Sequence, residues 1–313
     1  MKFLFIADPL ESLQLSKDST LAMMQAAQEA GHSLWFARTH ELIWLDAKTK
    51  ARCRSLKLQL NHSPWYSLGE SEEIALEQFS AVLMRQDPPF DLEYLNATWL
   101  LSAAVREGAK VFNHPDALRN HSEKIAITEF TEFIAPTIIT RDLGAIKAFH
   151  ALHHDIVIKP LDGMGGMGVF RVGQDGLNLA SIVETLGNQG QRTLMAQRFI
   201  PEIIEGDKRV LLIGGKVAPF ALARIPQGSE IRGNLAAGGK GIAMPLSKRE
   251  QMIADYLAPI LWQRGLLVVG LDMIGGFLTE INVTSPTCFV EITQQSQFDV
   301  AQFWLKSLEE ALS

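Results

Sequence analysis

Cysteine is scarce in this chain: 313 residues hold two, Cys53 and Cys288. Two thiols so far apart exclude a disulfide framework, leave a zinc site short of sulfur ligands, and fit a reducing cytoplasm. Neither has the basic company that a reactive thiolate needs. Cationic residues are in deficit, 29 Lys and Arg against 35 Asp and Glu, for a formal charge of −6. That balance argues against a nucleic-acid or anionic-membrane partner, so an anionic ligand must be met by a local basic pocket. No uninterrupted apolar run reaches the roughly 18 residues of a membrane span, and Met1 to Asp8 is too short and too soon acidic to read as a signal peptide. Internal repeats and low-complexity tracts are also missing. What remains is ordinary globular usage, 47% hydrophobic and 20% charged, in a chain long enough for two or three units with buried cores.

The first third alternates strand and helix signals, the pattern of a parallel α/β sheet. Strands are expected at 2–7, 33–37, 81–84 and 110–113, with helices at 19–30 and 93–107, each helix closed by a glycine, Gly31 and Gly108. Ligands in such sheets sit at the carboxyl ends of strands. Asp8, Asp18 and the run from Arg85 to Asp91 fall there, although for any one aspartate beside proline, turn chemistry explains the residue as well. The character changes near 115–122. Strands at 137–140, 155–160, 169–172 and 193–199, with helices at 142–152 and 177–187, suggest a small α+β unit. Lys208 to Arg224 reads as a hairpin turning at Gly214-Gly215, and Ser247 to Arg264 as a helix. Ala221 to Gly241, polar and glycine-rich, reads as a mobile loop carrying Arg224, Arg232 and Lys240.

Two stretches carry chemistry. In Leu278 to Val283, Glu280 and Asn282 stand two residues apart in an otherwise apolar strand, so they share a face and offer the hard oxygen ligands that Mg²⁺ takes. Upstream, the strand Leu266 to Ile274 carries Asp272 before Gly275-Gly276. A turn through the three residues 275–277 would set Asp272 opposite Glu280. Ordinary polar positions on the wet face of a sheet would show the same residues.

The second stretch runs from Ile156 to Val172: a strand ending in Lys159, a loop with Gly163, Gly165, Gly166 and Gly168, then the β-prone Val169-Phe170-Arg171-Val172. A dinucleotide-binding loop would be followed by a helix, and a P-loop by Lys-Ser or Lys-Thr, so neither fits. A hairpin loop whose bare amides close over phosphates, with Lys159 as a point charge, remains, beside the plainer reading of a glycine-rich hairpin. With the arginines and the Asp/Glu/Asn set, these residues form a kit for ATP·Mg-dependent phosphoryl transfer.

At these residues the chain resembles the bacterial glutathione synthetases of the ATP-grasp ligase superfamily, over nearly its whole length. The blocks include Lys17-Asp18-Ser19, Met84-Arg85 with Asp87-Pro88-Pro89-Phe90-Asp91, Ile158 to Gly166, Gly206 to Leu211, Leu222 to Gly228, Arg232 to Gly239, Val269 to Asp272 and Leu278 to Thr287. The resemblance implies an α/β fold: an N-terminal Rossmann-like pre-ATP-grasp domain (1–120), then a two-part α+β ATP-grasp fold, with a central lid subdomain (121–200) and a C-terminal subdomain (201–313). It implies ligation of γ-glutamylcysteine and glycine through an acylphosphate, with ATP as co-substrate and Mg²⁺, or Mn²⁺ in its place, as the metal. It also implies a cytoplasmic homo-oligomer, a dimer or tetramer. By motif position, Lys124 and Lys159 would contact the nucleotide phosphates under the Gly163–Gly168 loop, and Asp272, Glu280 and Asn282 would hold the metal. Arg209 and Arg224 would stabilise the transferring phosphoryl group, while Asp18, Arg85, Arg232 and Ser285 would orient peptide and glycine.

Gln86 stands where the family often has lysine, and Lys240 where arginine is common, so peptide affinity is expected to differ while the chemistry survives. The competing readings are an ATP-grasp ligase with another carboxylate and amine, which the N-terminal motifs would distinguish, and a non-catalytic ATP-binding protein, against which the full acidic and arginine set argues.

Overall fold

The computed structural model describes residues 1–228 and 230–313; Ser229, in the middle of the expected mobile loop, lies outside the described residues. The first sheet has the order β3-β4-β2-β1-β6-β7, with β5 paired to β4. Its strands are β1 (Lys2–Ile6), β2 (Ser33–Ala37), β3 (Leu42–Leu45), β4 (Lys48–Leu58), β5 (Tyr66–Ala75), β6 (Ala81–Met84) and β7 (Val111–Phe112). β1 lies parallel between β2 and β6, and β7 continues the parallel part. Such strands are covered on both faces and read as continuous apolar runs; Phe3, Leu4, Phe5 and Ile6 are all fully buried. Helices α1 (Ser19–Glu29) and α2 (Leu92–Arg106) start at the aspartate caps Asp18 and Asp91, whose carboxylates accept from Leu21 N at 2.8 Å and Tyr94 N at 2.9 Å. They end ahead of Gly31 and Gly108, both at positive φ, as the sequence suggests.

The all-parallel expectation needs correction. β3, β4 and β5 are antiparallel, so the sheet is mixed. β4 hid because the first of its alternating buried positions are small, Thr49, Ala51 and Cys53, between lysines and arginines, and a register shift between Arg54 and Leu56 changes the phase before Leu56 and Leu58. β5 hid because nearly all of it is exposed, which leaves no apolar face to read.

Beyond α3 (Pro115–Asn120), an antiparallel sheet follows in the order β10-β9-β11-β8, from β8 (Thr137–Thr140), β9 (Ile156–Pro160), β10 (Phe170–Val172) and β11 (Leu194–Arg198). Helices α4 (Leu143–His153) and α5 (Leu179–Leu186) close a separate core around Ile146, Ile156, Ile158 and Val183. The third sheet has the order β15-β14-β12-β16-β17 with β13 on β12. It comprises β12 (Asp207–Ile213), β13 (Lys216–Val217), β14 (Phe220–Ile225), β15 (Lys240–Pro245), β16 (Val268–Ile274) and β17 (Phe277–Asn282), with α6 (Lys248–Gln263), α7 (Phe289–Ser296) and α8 (Val300–Leu312). α6 opens on a reciprocal capping box between Ser247 and Glu250.

Two of these assignments change the earlier reading. Arg224, set by the hairpin reading at the end of a strand and by the loop reading in a loop, lies on the strand β14 and is 4% exposed; β14 ends at Ile225 and β15 starts at Lys240. The β16–β17 hairpin turns through two residues, Gly275 and Gly276, pairing Ile274 with Phe277. An extra residue, Thr279, is then inserted by a register shift after Asp272, so Asp272 still falls opposite Glu280.

The first and third sheets share continuous cores. Leu4, Ile6, Val82 and Met84 pack in one cluster with Val210, Leu257 and Leu271, and Phe5 meets Trp304 at 6.3 Å between ring centroids. Asn113, just past β7, donates to Val268 O at 2.8 Å and Val283 O at 2.7 Å and accepts from Val268 N at 2.9 Å. That amide fixes the carboxyl ends of the parallel strands against β16 and the segment after β17. No helix among the described residues is long and apolar enough to cross a membrane.

Candidate functional site

A cavity of about 470 Å³ opens where the three sheets face one another. The first sheet contributes at its switch point, where chain order reverses around β1 and β6, the position at which open α/β sheets place ligands. Arg85, directly after β6, is buried, with Nε donating to Thr20 Oγ1 at 3.2 Å and Nη2 to Pro286 O at 2.9 Å. Ser285 Oγ donates back to Arg85 O at 3.3 Å. Burial raises the carboxyl pKa of nearby Asp87. Asp18 borders the cavity too, but one oxygen is committed to the α1 cap. Asp8 does not border it and accepts from Asp87 N at 2.8 Å, a turn role.

The third sheet contributes charge. Arg209 and Asp272 are direct partners across β12 and β16. Arg209 Nε donates to Asp272 Oδ1 at 2.5 Å and Nη2 to Oδ2 at 3.1 Å. Arg224 Nη2 lies 2.6 Å from Asp207 Oδ2 and 2.9 Å from Asp272 Oδ2, without hydrogen-bond angles, so the attraction is Coulombic. Two buried guanidiniums and two buried carboxylates sum to zero, which is how charges survive desolvation. Burial pushes the Asp207 carboxyl up to about 6 against the pull of Arg224. Burial would raise Asp272 as well, but Arg209 and Arg224 beside it hold it far below the usual range.

On β17, Glu280 Oε1 accepts from Lys124 Nζ at 2.8 Å, and Asn282 donates from Nδ2 to Gly270 O at 3.1 Å. That leaves Glu280 Oε2 and Asn282 Oδ1 without a hydrogen-bond partner among the described residues, on one face of a strand bordering the cavity. No group of three or more His, Cys, Asp or Glu is placed to hold a metal among the described residues. Two carboxylates and an amide are instead a donor set suited to Mg²⁺, which keeps several sites for water and substrate phosphates rather than an all-protein cage. The set therefore fits that ion, with Asp272 reached only by sharing it with the arginines.

The second sheet supplies the cover. β9 and β10 form the expected hairpin, and its loop takes positive φ at Gly165, Gly166 and Gly168. A Cβ on Gly166 would lie 2.7 Å from Asn234 Oδ1, so the loop meets the 232–236 segment at a contact only glycine permits. Arg232 Nη1 donates to Gly166 O at 3.3 Å. Below it, Lys124 Nζ donates to Gly163 O at 2.6 Å, and Lys159 Nζ to Thr279 O at 3.3 Å. Burial lowers the Lys159 ammonium pKa while Glu280 and other carboxylates oppose it.

Of the expected site residues, Arg232 and Gly168 do not border the cavity; both act on the loop. Several residues that do matter were not singled out from sequence. Glu123 is half-buried and accepts from Val283 N at 2.9 Å, Thr284 N at 3.1 Å and Thr284 Oγ1 at 3.0 Å, clamping the end of β17 beside Lys124. Gln197, Cys288 and Glu291 border the cavity as well. Only the adjacency of Glu123 to Lys124 could have drawn attention to it.

Models of two family domains match the chain: the prokaryotic glutathione synthetase N-terminal domain over residues 1–119 and the prokaryotic glutathione synthetase ATP-grasp domain over 123–297. The chain belongs to the prokaryotic glutathione synthetase family. A glutathione synthetase of Ralstonia nicotianae is 55% identical over 311 residues, covering 99% of this chain and 96% of its own length. One of Nitrosomonas europaea is 50% identical, covering 100% and 99%. Among solved structures, D-cycloserine synthetase DcsG superposes with a TM-score of 0.69 at 13% identity, over 100% of both chains. The ATP-grasp ligase PsnB, complexed with a phosphomimetic variant of its minimal precursor, Mg and ADP, gives 0.64 at 17% identity over 100% of this chain and 98% of its own. At such identities these two likenesses speak for the fold alone. As a member of the glutathione synthetase family, the chain is an ATP-dependent ligase with the expected α/β and ATP-grasp architecture.

Proposed function

We propose that the cavity joins γ-L-glutamyl-L-cysteine to glycine at the expense of ATP, and that the chain divides for this task into units 1–120, 121–200 and 201–313. The observation that carries the reading is the sharing of one cavity by two kinds of machinery. Lys124, Lys159 and the glycine loop suit a triphosphate, and Arg209 with Arg224 suits the group being transferred. Arg85 and Ser285, from the first sheet's switch point and the segment after β17, border the same space.

In this reading the cysteinyl carboxylate oxygen attacks the γ-phosphorus, the bond to ADP breaks, and an acylphosphate forms. The glycine nitrogen then attacks the acyl carbon, loses a proton, and inorganic phosphate leaves. Lys124 and Lys159 hold the non-reacting phosphate oxygens, while Arg209 and Arg224 face the charge that moves between donor and acceptor oxygens. Their pairing with Asp207 and Asp272 keeps them oriented before substrate arrives, so little reorganisation is needed. Glu280, Asn282 and Asp272 would hold Mg²⁺, which when bound neutralises phosphate charge. Contact between the loops at 163–168 and 232–236 would exclude water from the acylphosphate, whose hydrolysis would waste ATP.

The test is ADP release by the purified protein with Mg·ATP, γ-glutamylcysteine and glycine, leaving out one component at a time. Turnover that needs all of them supports the reading. Turnover only with another peptide or amine would keep the ligase chemistry and replace the substrates.

A further inference from the structure

The glycine loop reads Gly163-Met164-Gly165-Gly166-Met167-Gly168, so the side chains it carries are two thioethers and nothing else. Met167 N donates to Met164 O at 3.0 Å, a turn that keeps the pair in one short segment. Both methionines border the cavity, yet they stay 37% and 63% exposed. Met23, Met24, Met84, Met195 and Met273 are buried, while Met1 and Met252 are exposed but away from the cavity. An unbranched, polarizable thioether fits an irregular surface, which suits a loop that covers a ligand. The same sulfur, when it is reachable, is open to two-electron oxidation. The two thiols compete poorly for an oxidant. Both are buried, and burial pushes the Cys53 thiol up to about 11 and raises that of Cys288, whereas oxidants attack the thiolate.

Resting on the place proposed above for the triphosphate beneath this loop, we propose that Met164 and Met167 form an oxidation site through which hydrogen peroxide weakens nucleotide binding. In the step, a thioether lone pair attacks one peroxide oxygen and the O–O bond breaks. The transferred oxygen gives up its proton to the leaving hydroxide, which departs as water. Sulfur is oxidised to the sulfoxide and the peroxide is reduced, with no further reactant. The new S–O group carries partial negative charge and accepts hydrogen bonds. Bordering the cavity, it repels phosphate oxygens or is desolvated without a donor when the loop covers the nucleotide. The fold itself is spared. Neither methionine belongs to a hydrophobic core, and the loop is held through its backbone, by Lys124 on Gly163 O and Arg232 on Gly166 O.

The experiment treats the full-length protein with hydrogen peroxide, stops the reaction with catalase, maps oxidised methionines by mass spectrometry, and measures Kd for Mg·ATP by calorimetry before and after. Met164 and Met167 should take up oxygen ahead of the buried methionines, and Mg·ATP present during treatment should slow them but not Met252. Kd should rise about tenfold, the worth of one polar group buried without a partner, and should recover after treatment with methionine sulfoxide reductases. In the double variant Met164→Leu, Met167→Leu the ratio of Kd after to before should stay near one, while Met252→Leu should respond as the wild type does. A double variant that loses affinity like the wild type overturns the inference, as does a wild type oxidised at both sites with Kd unchanged. A loss that the reductases do not reverse overturns it without any variant, which covers a variant that fails to fold. If the untreated protein does not bind Mg·ATP, it is the nucleotide reading that fails, and this inference with it.

Discussion

Arg224→Met should make the stability of the protein depend on pH in a window where the wild type does not. In the wild type, Asp207 has a folded-state pKa of about 6 against an ordinary value of 3.8. Because the folded value is raised, the contribution of Asp207 is largest at acid pH and is lost as pH climbs from 3.8 to about 6; above that both states are ionised and the slope vanishes. Methionine removes the guanidinium that lies 2.6 Å from Asp207 Oδ2, while Oδ1 of that carboxylate already lacks a partner. Asp272 keeps both of its hydrogen bonds from Arg209, so the uncompensated charge settles on Asp207. Its pKa should rise above the wild-type value, because burial then acts without the pull of Arg224, and above pH 6 the folded variant should hold a proton that the unfolded chain has released. Each pH unit above 6 then costs about 1.4 kcal/mol. At pH 7 that amounts to about 1.4 kcal/mol, to which the lost hydrogen bond from Arg224 Nε to Asp207 O, at 3.1 Å, adds about 1 kcal/mol. Urea denaturation of both proteins at pH 6, 7 and 8 measures this. The difference should widen with pH, approaching about 1.4 kcal/mol per unit while the variant keeps its proton, and the double variant with Asp207→Asn should abolish the slope. A difference that stays constant with pH would refute the charge assignment in the buried quartet.

Three other outcomes are expected. Glu280→Ala should reduce turnover in saturating Mg·ATP by more than about a hundredfold, because it removes the proposed metal oxygen together with the partner of Lys124; near-normal activity would take Glu280 out of the site. Gly166→Ala places a Cβ 2.7 Å from Asn234 Oδ1 at a φ of +83°, so KM for ATP should rise about tenfold at a strain of about 1–2 kcal/mol, with the melting temperature little changed; an unaltered KM would show that the loop contact is dispensable. Gln86 does not border the cavity and accepts from Thr39 Oγ1 at 2.8 Å, so Gln86→Lys should move KM for γ-glutamylcysteine by less than about threefold, against the affinity change that its departure from the family suggests.

Legibility in the sequence followed the range of the interactions. Local signals were readable: the helices beginning near 19, 93 and 247, the glycine stops at Gly31 and Gly108, and the β9–β10 hairpin around its glycine loop. The antiparallel β3–β5 extension was not: β4 alternates, but its first inward residues Thr49, Ala51 and Cys53 bury little area each and its phase shifts before Leu56 and Leu58, while nearly all of Tyr66 to Ala75 faces water. At Arg224 the hairpin and loop readings overlap, because its polarity and the glycines after it look solvated. Only the buried carboxylates of Asp207 and Asp272, from two other strands, make a guanidinium tolerable on β14.

Asp272 shows most clearly where sequence reasoning ends. Its position opposite Glu280 came from counting residues through a turn, and a two-residue turn with Thr279 inserted leads to the same pairing as the three-residue turn expected. Counting along one hairpin cannot reveal what lies on the other side of the strand. There β12 pairs antiparallel with β16 and sets Arg209 directly against Asp272, across a sequence separation of 63 residues. Under the proposed function the same carboxylate would face two demands, neutralising the arginines in the resting fold and offering oxygen to a cation. These are compatible only if phosphate groups take over the arginines when the nucleotide enters. On that proposal the carboxylates stand in for substrate charge beside the arginines, and the neutral sum of the buried quartet accounts for a cavity so rich in ions being stable before anything binds.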